Sequence, residues 1–577
     1  MLVNEDKLPN LPLEPLELTL EKYYNSLAPI LSHHELSRTQ KAIQDTLKFQ
    51  GPQVHSALKQ KNAKFRNHMT QWWADKTYLN VRDSIAVYSN FYGGINYDRP
   101  FPGARDYCEA AGLFVYGALK YKHLVDWEML QPRKLSMIQY KKMFGISRIP
   151  GQKIDTLKTC QNPLNIAVLR NNQIFLVPAY DSEGNLFSPA TYTQMFRKVV
   201  DHTHSKDPYP LAMMTYDARP HWAEFRSRMQ SISPQNAQNL DLVDSSVFSV
   251  SLSDKSFEDV SELSYDIYMG EATDKWIDKS LHVVFYQDCK GGFQSEHSSA
   301  EGIVFKEMIE YANNLAAEGI ERGEASEFSI QKLSFEYDEA LKAAMKKAEQ
   351  RVLDECSNQQ VKVARLPFGN DFCKGTKIMT ADSFVQLSYQ LAWYNNFGEV
   401  PPTYETAITR AFYDGRTDNV RVCSKETLAM CKLLNSNTDN EQKLEVIKKA
   451  SDVHTNMTKM VMRGKGIDRP LWAHMCQAEE MGIELPIFKD PAWEKSRRFI
   501  LSTSNFGNFD TFFGYGAMYP EGIASCYTIQ NEASIHGISN FKKEGKLNSS
   551  QWAESIDSAS KQLANVIHSA HRLPSFS

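Results

Sequence analysis

No run of this 577-residue chain approaches the roughly 18 consecutive apolar residues that a membrane-crossing helix needs. No two of its nine cysteines form a CxxC pair, and their number is odd. A disulfide framework or a zinc site is therefore not expected; a reducing compartment, the cytoplasm or an organelle matrix, is. Neither charge sign is in excess: a net charge of -4 gives nucleic acid or an anionic membrane little to hold. The opening MLVNEDKLPNLPLEPLEL mixes acids with prolines. It lacks the Arg-rich, acid-poor character of a mitochondrial presequence and the apolar core of a signal peptide. The closing RLPSFS is not a clear peroxisomal address. Internal repeats, GxSxG, a Walker loop, GxGxxG behind a strand and HExxH are missing as well. Their absence removes the hydrolase-elbow, P-loop, dinucleotide and zinc-protease readings.

What is present is the composition of an ordinary globular protein, 42% hydrophobic and 23% charged. The length is too great for one compact core, so two domains are expected. Early segments such as LELTLEKYYNSLAPIL and SRTQKAIQDTLKF carry apolar residues at helical spacing, the second with Ser37 as its N-cap. In TADSFVQLSYQLAWYNNFG, Phe384, Leu387, Leu391 and Tyr394 line one helical face and Gly398 ends it. NQIFLVPAY and LHVVFYQD read as strands, and FDTFFGY and IASCYTI suggest a second sheet. Strands interleaved with helices predict a mixed α/β or α+β protein.

The chemistry-bearing stretches begin with GGFQSEHSSAEG, residues 291–302. LHVVFYQD-CKGG-FQSE reads as a hairpin whose second strand delivers His297, with Glu301 four residues on. If the chain is helical there, the two side chains share a face. A carboxylate near an imidazole suits a general base; a surface histidine beside a capping glutamate is the bland alternative. The hydroxyls of STS, Ser502 to Ser504, suit an oxyanion donor or an ordinary polar loop. Tyr404, Thr417, Arg416 and Arg421 in TYETAITRAFYDGRTDNVR offer donors for a carboxylate, or a solvated turn with ion pairs. Arg469 in GIDRPL is a carboxylate anchor or a structural arginine. Lys374 and Lys377 precede a helix start and suit phosphates, or are simply solvated.

The order of these stretches matters more than any one of them. From LPNLPLEPLELTLEKYYNSL, through WWADKTYLNVR at 72–82, to EHSSAEG, TYE…GRTDNVR and STS, the chain resembles the carnitine/choline acyltransferase family. The resemblance implies reversible transfer of an acyl group between coenzyme A and the hydroxyl of carnitine or choline, with no permanently bound cofactor and no metal. It assigns His297 as base, Glu301 as its support and Ser504 as oxyanion donor. Tyr404, Thr417, Arg469, Ser502 and the aromatic Phe513 fall to carnitine, and Lys374, Lys377 and Asp382 to coenzyme A. Arginine rather than asparagine at 469 favours carnitine, with a choline or other amino-alcohol acyltransferase as the near alternative. Three departures stand out: Asn370 for a lysine, Pro470 for a histidine, and a loop after STS without the usual glutamine. Thr511 matches neither the acetyl-specific methionine nor the long-chain glycine, which favours short to medium acyl groups. The implied fold is two chloramphenicol-acetyltransferase-like α/β domains around an interfacial tunnel: residues 76–339, and residues 1–75 with 340–577. Small-molecule substrates are the expected partners, and family members are usually monomers. A non-catalytic acyl-coenzyme A or carnitine-binding homologue is the alternative from another class.

Overall fold

The computed structural model describes residues 1–571; the peptide weighed above as a peroxisomal address lies outside the described residues. Two sheets organise the chain. In the eight-stranded sheet the order is Phe513–Tyr515, Phe91–Ile95, Gly291–Ser295, His282–Tyr286, Ser249–Ser253, Asn165–Arg170, Gln173–Pro178 and Gln331–Leu333. In the six-stranded sheet it is Gln359–Leu366, Ser534–Phe541, Ile523–Ile529, Leu501–Asn505, Thr403–Ile408 and Thr417–Asn419. The mixed α/β expectation holds.

The central strands read as near-continuous apolar runs because helices cover both faces. Strand His282–Tyr286 is buried throughout and pairs parallel with Ser249–Ser253 and antiparallel with Gly291–Ser295. Helix Tyr107–Asp126 packs on one side, contributing Leu113, Phe114 and Ala118 to a core that includes Phe285 and Phe293. Helix Ala381–Phe397 supports the smaller sheet through Leu387, Tyr389 and Leu391. Its Thr380 side chain caps the N-terminus, and Gly398 takes the left-handed conformation at its end, φ 72°.

Three local readings need correction. The second early helix is His33–Lys48, capped by Ser32 in a capping box with Glu35, so Ser37 lies inside it. FDTFFGY does not enter the second sheet: Phe513–Tyr515 pairs with Phe91–Gly93 and completes the edge of the first. A segment from beyond residue 340 thus finishes a sheet otherwise built from residues 91–333. Residues 297–300 form a turn instead of a helix, and Glu301 is the N-cap of helix Gly302–Ala317. The early helices pack through Leu16, Leu20 and Tyr23 against Ile467, Leu471 and Trp493. All nine cysteines are free, and among the described residues no helix is long and apolar enough to cross a membrane.

A buried ionic network lies behind the His297 loop and reaches it where Arg148 donates to Glu296. The Asp155 carboxylate accepts from Arg148 at 2.6 Å, Arg82 at 2.7 Å and Arg219 at 2.7 Å. Arg219 continues to Asp278 at 2.6 Å. Removing Asp155 takes a shared carboxylate from three guanidinium groups at a site with no solvent access to its side chain, leaving Arg219 only Asp278 and Arg148 only Glu296 as acidic partners. Asp155→Ala should therefore cost about 3–5 kcal/mol, the usual result of breaking a buried ion network, and lower the thermal midpoint in a calorimetric scan. A midpoint within a degree of the parent would show that the network carries no stability.

Candidate active site

The eight-stranded sheet ends its strand Gly291–Ser295 at the boundary with the smaller sheet, and the next turn carries His297 into a cavity of about 400 Å³. That cavity is also lined by Glu301, Tyr404, Thr417, Arg469, Ser502 and Ser504. Residues far apart in the chain converge because strands Thr403–Ile408 and Leu501–Asn505 run parallel and in register, Tyr404 beside Ser502. Alternation along the first of these strands points Tyr404, Thr406 and Ile408 at the cavity and turns Glu405 the other way.

The His297 ring is packed between Tyr78, at 4.9 Å, and Phe91, at 5.0 Å, while 26% of its side-chain surface remains open. Its Nδ1 lies 3.3 Å from the Ala300 carbonyl. A carbonyl oxygen only accepts, so Nδ1 carries the proton and Nε2 is left as a base. Burial pushes the imidazole pKa below its ordinary value of 6.5; Glu301 works against that shift and Arg416 with it.

Glu301 is not hydrogen-bonded to the ring. Its Oε2 stands 3.7 Å from Nε2, whereas Oε1 accepts from Arg416 Nε at 2.7 Å. Arg416 Nη1 and Nη2 then donate to the carbonyls of Ser298, at 2.7 Å, and His297, at 2.9 Å. Burial raises the Glu301 pKa, but the Arg416 and His297 charges outweigh it and the net shift is downward. On the opposite side Glu296 accepts from the Ser298 hydroxyl at 2.5 Å and from Arg148 at 3.1 Å. The histidine loop is thus fixed from two directions, by Arg416 just before strand Thr417–Asn419 of the smaller sheet and by Arg148 on Ile146–Ile149, a strand of a separate two-stranded sheet.

Arg469 stacks on Trp73, its guanidinium carbon 3.7 Å from the ring centre. It donates to the Tyr404 hydroxyl at 3.2 Å and to the Thr417 carbonyl at 3.1 Å. Its guanidinium has no carboxylate partner among the described residues, while its backbone N–H donates to Asp418 at 3.2 Å. Pro470 falls in the first turn of helix Asp468–Glu480, where a missing N–H costs nothing, so the backbone at Arg469 is undisturbed. Ser502 donates to the Tyr515 hydroxyl at 3.3 Å, and among the described residues no hydrogen bond occupies the Ser504 hydroxyl.

Other expectations fare differently. Phe513 does not face the cavity: it is fully buried, stacked 3.9 Å behind Phe506, which is the ring on the wall. Packing against Phe293 from the other side leaves it no open face. Thr511 is buried too, its hydroxyl spent on the Gly94 carbonyl at 3.0 Å. Lys374 is exposed on the short helix Asn370–Thr376, and Lys377 is exposed at its left-handed C-cap; neither lines the cavity. Asn370 opens that helix and donates to the Ile529 carbonyl at 3.2 Å.

Asp382 accepts from Asn505 at 2.7 Å and Tyr527 at 2.6 Å, beside Glu405 and His454. His454 bonds Glu405 at 2.7 Å. Burial opposes the imidazolium there, yet Glu405 raises the His454 pKa to about 9, while burial lifts Glu405 to about 7. This cluster anchors the backs of the two strands that carry Tyr404 and Ser504. Sequence reasoning missed Trp73, Tyr78, Thr406, Arg497 and Phe499 on the wall. WWADKTYLNVR was the available signal for the first two.

A sequence profile of the family described as Choline/Carnitine o-acyltransferase matches residues 11–558. The chain belongs to that family. Carnitine O-acetyltransferase of Mus musculus is 27% identical over 99% of this chain and 95% of the relative. Choline O-acetyltransferase of Danio rerio is 27% identical, covering 97% and 93%, and human peroxisomal carnitine O-octanoyltransferase is 27% identical, covering 98% and 97%. Among solved structures, a trichothecene 15-O-acetyltransferase from Fusarium sporotrichioides aligns at 9% identity and TM-score 0.40, over 84% of this chain and 91% of that one. Choline and carnitine relatives stand at the same distance, so identity alone does not choose the acceptor.

Proposed function

We propose that this acyltransferase moves a short or medium acyl group between coenzyme A and a hydroxylated, carboxylate-bearing acceptor of the carnitine type. The observation that carries this reading is the shared cavity of His297, Arg469, Tyr404 and Ser504. Among the described residues the Arg469 guanidinium forms no ion pair: its two donated bonds go to neutral oxygens, and the nearby Asp418 carboxylate accepts from its backbone N–H at 3.2 Å instead, so the guanidinium is open to a substrate carboxylate. Choline would leave that charge unanswered, which disfavours the choline reading.

In the proposed step, His297 Nε2 takes the proton of the acceptor hydroxyl. The oxygen attacks the thioester carbonyl, and the Ser504 hydroxyl donates to the oxyanion. The C–O bond forms, the C–S bond breaks, and the proton passes from His297 to the departing thiolate. Transfer is direct, with coenzyme A as co-substrate. Glu301 acts at one remove: it holds Arg416, and Arg416 holds the two carbonyls of the histidine loop.

Arg469→Asn tests the acceptor. Its KM for carnitine should rise about 10- to 100-fold, in line with the loss of a charge-assisted bond of about 1.5–3 kcal/mol. Thiol release from acetyl-coenzyme A reads it. Unchanged carnitine turnover would remove the carboxylate from this position.

A further inference from the structure

The cavity holds a second guanidinium that no acidic side chain among the described residues meets directly. Arg497 lines the same cavity as Arg469, Tyr404 and Phe499. It is half-buried, its guanidinium carbon 4.7 Å over the Trp493 ring. Among the described residues its guanidinium takes part in no hydrogen bond and no ion pair. Its neighbour Arg498 points outward and pairs with Glu521 at 2.7 Å, so the absence at 497 is not a property of the segment. The acids that could serve Arg497 are engaged elsewhere. Asp468 accepts from Arg421 at 2.8 Å and 3.0 Å and from Asn419 at 2.8 Å. Glu301 belongs to Arg416.

Burial lowers the Arg497 pKa, as does the charge of nearby Arg469, while Asp468 raises it. Both guanidinium groups belong to residues that line the one cavity. Arginine held in a partly desolvated wall is normally paired, because an unanswered charge there is costly. An acceptor with one carboxylate and one quaternary ammonium group cancels only one of the two charges. It also brings a third cation into their field.

We propose that the preferred acceptor carries two anionic groups, one on either side of its reacting hydroxyl, with Arg469 holding the first and Arg497 the second. This inference rests on the acyl-transfer reading and narrows its acceptor to a hydroxylated dicarboxylate. The chemistry is unchanged. The hydroxyl proton goes to His297, the new ester bond forms to the acyl carbon, and the thiolate leaves as the C–S bond breaks.

The experiment uses 3-hydroxyglutarate, which keeps the carbon spacing of carnitine but places a carboxylate where carnitine has trimethylammonium. Two readouts are taken on the parent protein and on Arg497→Met, a substitution that keeps an unbranched apolar stem. The first is thiol release from acetyl-coenzyme A with 3-hydroxyglutarate or carnitine as acceptor. The parent should use 3-hydroxyglutarate with a kcat/KM at least equal to that for carnitine. Arg497→Met should lower that value at least tenfold and raise the value for carnitine. The second readout is the thermal shift produced by 3-hydroxyglutarate without coenzyme A, expected in the parent and lost in the variant. It does not depend on turnover. Binding that requires Arg497, with no thiol release from any acceptor, sinks the acyl-transfer reading but keeps the dianion site. Carnitine turnover in the parent, with 3-hydroxyglutarate neither bound nor used, sinks the dianion site and keeps acyl transfer. Equal loss of both acceptors in Arg497→Met also overturns the proposal, since it makes Arg497 a general structural group.

Discussion

His297→Ala should lower kcat by about 10²–10⁴-fold, the range typical of removing a positioned general base. Substrate binding should survive. The ring contributes one face of the cavity, while the proposed acceptor contacts lie on Arg469, Tyr404 and Thr417, none of which bonds to the imidazole. The pH profile adds a second check. The base works only when neutral, and burial lowers its pKa below 6.5 in the folded protein. The acid limb of kcat/KM should therefore have its midpoint below 6.5, with a plateau through neutral pH. Glu301 holds the His297 pKa up, because a nearby carboxylate favours the imidazolium. Replacing it by glutamine should move the limb to still lower pH. A limb that rises above 6.5 in Glu301→Gln would contradict this electrostatic assignment. Retained turnover in His297→Ala would sink the mechanism and leave the non-catalytic binding homologue as the better reading.

Much of this site was legible from short local signals. The hairpin before His297 followed from an apolar run, a polar turn with glycine, and a second short strand; it is observed as His282–Tyr286 and Gly291–Ser295. The helix Ala381–Phe397 followed from its apolar face and its terminal glycine. Those features depend on neighbours in sequence. What could not be read depends on neighbours in space. The strand Phe513–Tyr515 joins the far sheet because its partner, Phe91–Gly93, has an open edge, which no local pattern encodes. Phe513 looked like a wall residue because aromatic character was visible, but the direction it faces is set by packing between Phe293 and Phe506. Glu301 looked like a direct partner of the imidazole because it lies four positions on; the intervening turn instead sends its carboxylate to Arg416. Arg497 was invisible as a cavity residue within KSRRFIL, since an arginine pair before a strand ordinarily reads as solvated surface.

Ser504→Ala should reduce kcat by about 10²–10³-fold, the usual loss when one oxyanion donor is removed. The physical case rests on how little else that hydroxyl does. Ser502 spends its proton on Tyr515, and Thr503 donates to the Tyr404 carbonyl at 2.8 Å, so both are tied into the fold. Ser504 alone of the three is uncommitted, on a strand held in register with Cys526 and its neighbours on one side. A rigid strand and an unspent donor are the conditions under which a hydroxyl stabilises developing charge without reorganising. If the donor meets the oxyanion and not the ground-state substrate, as proposed, KM for both substrates should stay within about twofold of the parent while kcat falls. Ser502→Ala is the control: it removes a bond to Tyr515 and should cost far less turnover. If the two variants lose kcat equally, the STS segment matters for its shape, and no single hydroxyl on it serves the transition state.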